Sequence, residues 1–166
     1  MNKAIPSLFS LALVCTNVLG ADDGWKEYRN ARFGFILQYP AELIPSREPD
    51  NGGGREFHTP DREFSVNAYA HFLTLDGESL DSHWADDIRE LGGSITYKKK
   101  AATWYVISGV RKDGTEYYHK FFVHRKNYAA FQISYPHSKH KRYDTWVTGI
   151  EKSFIPFLKG DFDRIE

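Results

Sequence analysis

The chain has 166 residues, 22 Lys+Arg balanced by 22 Asp+Glu, 27% charged and 41% hydrophobic residues. That composition is that of a folded globule rather than a disordered tail, and the zero charge balance lacks the footprint of a nucleic-acid or membrane-surface binder. The aromatic share, 16% with 12 Phe, 10 Tyr and 4 Trp, supplies large rings for a compact core.

Met1–Lys3 gives a positive start, Ala4 to Cys15 a largely apolar run, and Asn17-Val18-Leu19-Gly20-Ala21 small residues before Asp22-Asp23. This order predicts a secretory signal peptide over 1–20, cleaved after Gly20 or Ala21, with a single domain over 21–166. No later stretch is apolar for long enough to cross a bilayer, so no membrane insertion is expected after cleavage. Cys15, the single cysteine, lies inside the leader behind Val14, which is not the small residue a lipid anchor needs. The mature chain is therefore expected to lack disulfides and thiolate chemistry, and a periplasmic or secreted location follows.

Phe33–Tyr39, rich in aromatic and branched residues before Pro40, predicts a strand. Pro45, Pro49 and Asn51-Gly52-Gly53-Gly54 predict an irregular loop. From Phe64, the positions Phe64, Val66, Ala68 and Ala70 alternate with polar neighbours as in a half-buried strand. Ser79 is an expected N-cap for a helix whose apolar stripe is Leu80, Trp84, Ile88 and Leu91, with Asp86, Asp87 and Glu90 on the opposite face and Gly92-Gly93 at its end. Four runs follow: Ser94 to Lys100, Thr103 to Lys112, Thr115 to His124 and Tyr128 to Tyr135. Asp113-Gly114 predicts a type I′ hairpin, and Arg125-Lys126-Asn127 a second turn. After Pro136 a helix is expected from about Ser138, with Tyr143, Val147, Ile150 and Phe154 on one face and Pro156 beyond. Two amphipathic helices covering about five to seven antiparallel strands make an α+β domain.

The segment Tyr28-Arg29-Asn30-x-Arg32-Phe33-Gly34-Phe35-x-Leu37-x-Tyr39-Pro40 resembles the PsbP/Mog1-like family of small exported bacterial proteins. The similarity continues at Asn51-Gly52-x-Gly54-Arg55-x-Phe57, Ser108-Gly109 and Ile150-x-x-Ser153-Phe154. It implies an α/β/α sandwich around an antiparallel sheet. Members serve as photosystem accessory proteins, transport-factor partners or effector chaperones, which are binding roles without a catalytic residue to carry over. Gly53 stands where relatives often have Asp, so no role of that carboxylate transfers here.

No Gly-x-Ser-x-Gly elbow is present; Ser108-Gly109 falls mid-strand and reads as a small pair beneath a packed helix. His137, His140 and Asp144 have helical spacing for a metal, though Lys139, Lys141 and Arg142 surround them and favour solvated histidines. Asn51, Gly52, Gly53, Gly54 and Arg55 form either an anion nest or an open loop. Tyr105, Tyr118, Phe122 and Tyr128 are either core or a ring-lined partner surface. No cofactor is implied. The expected role is a non-enzymatic, exported accessory protein that docks a protein partner. The alternatives are a small-molecule or metal-binding module and an immunity-type inhibitor of a secreted toxin.

Overall fold

The structure, a computed structural model, describes residues 24–158. The expected leader, with Cys15, lies outside them. The chain opens with a hairpin of β1 (Trp25–Arg29) and β2 (Ile36–Pro40). Then come β3 (Ile44–Pro45), β4 (Gly54–His58) and β5 (Ser65–Phe72), helix α1 (Leu80–Leu91), the meander β6 (Ile95–Lys100), β7 (Trp104–Val110), β8 (Thr115–His124) and β9 (Asn127–Pro136), and helix α2 (His140–Ser153). The order β3-β4-β5-β9-β8-β7-β6 makes a seven-stranded sheet, antiparallel throughout, so β9 reaches past its own meander to join the early strands.

Alternation divides the sheet into two buried faces. On one, Phe57, Val66, Ala68, Phe131 and Ile133 pack under the β1–β2 hairpin and α2, which contribute Tyr28, Phe35, Leu37, Tyr143 and Ile150. On the other, Tyr105, Ile107, Tyr117, Phe121 and Ala130 pack under α1 through Leu80, Trp84, Ile88 and Leu91. The expected α+β sandwich is therefore present, with aromatic rings in both layers.

Local chemistry explains most boundaries. Ser79 caps α1 by accepting from the Ser82 amide while the Ser82 hydroxyl accepts from the Ser79 amide, a reciprocal capping box. Gly92 ends α1 at φ 46°. The strand expected from Phe33 begins only at Ile36, because the Asn30 carboxamide oxygen accepts from the Arg32 and Phe33 amides and holds a turn through Gly34, φ 71°. Gly54, expected in a loop, instead opens β4. A Cβ there would lie 2.2 Å from the Ala68 carbonyl oxygen, so only glycine lets the two backbones approach.

The Asp113-Gly114 hairpin forms, but not as a type I′ turn. Gly114 alone in that turn has positive φ (84°), its amide donates to the Arg111 carbonyl, and the Asp113 carboxylate accepts from the Thr115 amide. That is a three-residue loop ending in a left-handed glycine. The second turn is tighter than expected, since His124 pairs directly with Asn127 and Arg125 takes φ 53°.

A buried Asp–His–Tyr chain behind an open cleft

On the α1 side, alternation brings together Tyr69 of β5, His119 of β8 and Tyr105 of β7. Asp87 drops onto them from α1. Its Oδ2 lies 2.9 Å from His119 Nδ1 and accepts from the Tyr105 hydroxyl at 2.6 Å. His119 Nε2 lies 3.1 Å from the Tyr69 hydroxyl. An ionised carboxylate only accepts, so Nδ1 carries the proton toward Asp87, and in the neutral imidazole Nε2 is left to accept from the Tyr69 hydroxyl.

The charges follow from these contacts. Burial works against the Asp87 carboxylate, but the bonds from His119 and Tyr105 outweigh it and hold its pKa below the usual range. Burial, with the nearby Asp87 charge second, pushes the Tyr69 phenol well up. Burial and the bond to Asp87 do the same to Tyr105. The Asp87 carboxylate and the protonated Tyr69 phenol therefore stand on either side of the His119 ring.

Tyr69 also lines a cleft of about 370 Å³ together with Asn67, His71, Tyr128 and the Asn51–Gly54 turn. The His71 and Tyr128 rings stack with centroids 6.2 Å apart. His83, 3.0 Å from Glu78, packs its ring on Phe121 and Tyr128 behind that wall. A cleft of this size with a few hydroxyl and amide groups suits a small polar molecule. It offers hydrogen bonds; a phenol held protonated is a poor nucleophile.

Asp87 corrects the expectation that it faces solvent with Asp86 and Glu90. It stands three residues from Trp84 and beside Ile88, at the margin of the apolar stripe, where a short side chain still reaches the sheet. His119 carried a legible signal, lying between Tyr117 and Phe121 on the buried parity of β8.

The glycine turn is built but is not an anion nest. The Gly53 amide donates to the Asn51 carboxamide oxygen and the Gly52 amide to the Pro49 carbonyl, so both are occupied. Arg55 also lines the cleft, but its guanidinium is engaged elsewhere, 3.3 Å from the Glu48 carboxylate and over the Tyr28 ring. His137 and His140 do converge, each placing Nδ1 2.9 Å from the Glu116 carboxylate. Asp144 stays 4.0 Å from His140 Nε2, and among the described residues no group of three or more His, Cys, Asp or Glu is placed to hold a metal ion.

The four rings do not form one surface. Tyr105 is fully buried beneath α1, Tyr118 and Phe122 pack into the α2-side core, and Tyr128 reaches the cleft on the α1 side. Their positions on β7, β8 and β9 alternate in parity, which sends them to opposite faces. Ser108-Gly109 is a packing pair: a Cβ on Gly109 would lie 1.9 Å from the Ser94 carbonyl oxygen in the turn after α1.

No protein-family model matches the chain, and no curated protein matches it. Among solved structures it is similar to the cyanobacterial PsbP (CyanoP) of Synechocystis sp. PCC 6803. The TM-score is 0.59 at 11% identity, covering 92% of this chain and 99% of that one. It is also similar to a crystal structure from Bacteroides thetaiotaomicron, with TM-score 0.50 at 14% identity, covering 82% of this chain and 50% of that one. At these identities the likeness concerns architecture: the chain has a PsbP-like fold.

Proposed function

We propose that this chain is exported and acts as a non-catalytic accessory protein that docks a protein partner. The observation that carries the reading is the Asp87–His119–Tyr69 chain, which fixes a hydroxyl in the wall of an open cleft where a partner's polar groups can be recognised. The PsbP-like fold supports it by analogy with a family of binding roles. The leader-like order of residues 1–21 supports an extracytoplasmic site of action.

The test is site-specific photo-crosslinking in the native host, with the probe at His71 on the cleft rim, Lys98 on the sheet edge or Thr148 on the outer face of α2. One protein captured reproducibly from one of these surfaces, and not from the others, is the expected result. A secreted toxin as the captured protein would specify an immunity role. No adduct from any position would overturn docking.

The cleft favours a second reading, binding of a small polar molecule. Under that reading a metabolite copurifies with the native protein and is lost in Tyr69→Phe.

A further inference from the structure

We propose that the free edge of β6 accepts an extended, acidic segment of a protein partner as an added strand. The inference rests on the docking reading and names the surface and chemistry that reading leaves open. Among the described residues β6 ends the seven-stranded sheet and pairs only with β7, leaving one row of its backbone N–H and C=O groups without a strand partner there. From Thr96 to Lys100 every residue is exposed. The opposite edge, β3, is two residues long and offers no comparable template.

Beside this edge, the end of α1 and the strand enclose a groove of about 390 Å³ lined by Ile88, Gly92, Ile95, Thr96, Tyr97 and Lys98. A helix flanking a free strand is the geometry in which peptides add to a sheet, backbone bonds giving affinity and the groove seating alternate side chains. Tyr97, 51% exposed, adds an aromatic contact along the same edge.

Charge selects the occupant. Lys98, Lys99 and Lys100 follow one another along the edge. Lys100 pairs with Asp81 and lies over Trp84, and Lys99 lies over Trp104, whereas Lys98 meets no carboxylate among the described residues. Edge lysines repel a second copy of the same strand, the ordinary defence against edge-to-edge aggregation. The charge that excludes a like strand attracts an acidic one, and side chains opposite Lys98 and Lys99 would fall on alternate faces of the added strand.

The probe is a short synthetic peptide alternating Glu with Val and Thr, labelled for fluorescence anisotropy and applied to the full mature protein in low salt. Two further peptides carry N-methyl groups on the odd or on the even amides, and a fourth replaces Glu with Lys. The acidic peptide is expected to bind, with amide NMR shifts at residues 95–100 and 88–92. One N-methyl series is expected to abolish binding and the other to spare it, because an added strand uses alternate amides. The pair Lys98→Glu and Lys99→Glu is expected to weaken binding about tenfold or more while leaving the fold's circular dichroism unchanged. No binding, binding indifferent to either methylated series, or shifts confined to the Tyr69 cleft would overturn the proposal. So would equal, Lys98-dependent binding to phosphatidylglycerol vesicles, which would assign the edge to a lipid surface. A peptide failure with a crosslinked partner at His71 or Thr148 would remove this edge and leave docking intact.

Discussion

Removing a carboxylate that accepts from both an imidazole and a phenol leaves two donors beneath α1 with weaker partners. Asp87→Asn is expected to cost about 1.5–3 kcal/mol in urea unfolding, the range for hydrogen bonds to charged groups. The pH dependence has a definite sign. The folded state lowers the Asp87 pKa, so its contribution is present above the unfolded-chain value of about 3.9 and is lost as pH falls through the folded value. The stability gap between wild type and Asp87→Asn should therefore close in acid and persist at neutral pH. A gap that widened in acid would contradict the assignment of the charge.

The buried phenols act at the other end of the scale. Tyr28 is pushed up to about 12, mainly by burial, and Tyr69, Tyr105, Tyr118 and Tyr135 higher still by burial first. Raised phenol pKa values favour the folded state below about 10 and lose that contribution as pH climbs past it. Phenolate absorbance from this set should therefore appear together with unfolding rather than at the ordinary value of about 10. A single rise near pH 10 with the fold intact would contradict the packing of both layers. At this scale the sequence was half legible: His119 sits on a visible buried parity, whereas Asp87 at the margin of an amphipathic stripe reads as solvent until the helix is docked.

At the scale of elements, glycine positions record where layers meet. Gly149 of α2 faces the Trp25 ring, and a Cβ there would lie 2.4 Å from Trp25 Cη2. In an open helix Gly→Ala gains about 1 kcal/mol. Here overpacking of about 1–3 kcal/mol opposes that gain, and Gly149→Ala is expected to destabilise on balance. Adding Trp25→Ala removes the clash, so the double variant should show a coupling of about 1 kcal/mol or more in a double-mutant cycle. Simple additivity would mean the ring yields freely.

Both helices and the four-strand meander were legible because their periods are long and their ends chemically marked. β1, β3 and β4 were not. β1 shows burial at Tyr28 but exposure at Lys26, Glu27 and Arg29, β3 has two residues, and β4 begins at a glycine chosen for close approach rather than for a turn. The Asn51–Gly54 turn shows the same limit, since which backbone groups a glycine loop leaves free depends on partners that only folding brings near: the Pro49 carbonyl takes the Gly52 amide and the Ala70 amide donates to the Gly53 carbonyl.

Across the whole molecule, a balanced charge hides an uneven distribution: three lysines mark the β6 edge, while Glu78, Asp86 and Asp87 lie along α1 and the loop before it. Such asymmetry suits orientation of a partner rather than long-range attraction. No thiol follows residue 15, so no disulfide can form within residues 16–166, and the two aromatic layers supply the core of the described residues. Reducing agent should therefore leave the thermal midpoint of the mature protein unchanged, and a drop on reduction would show that Cys15 is retained and engaged.

Export and docking together are tested most directly by native mass spectrometry of the protein taken from its own host's extracytoplasmic fraction. A chain beginning at residue 21 or 22, in a peak with a second protein, is the expected result. A chain still beginning at Met1 would contradict export, and a lone chain with no companion protein under gentle conditions would contradict stable docking.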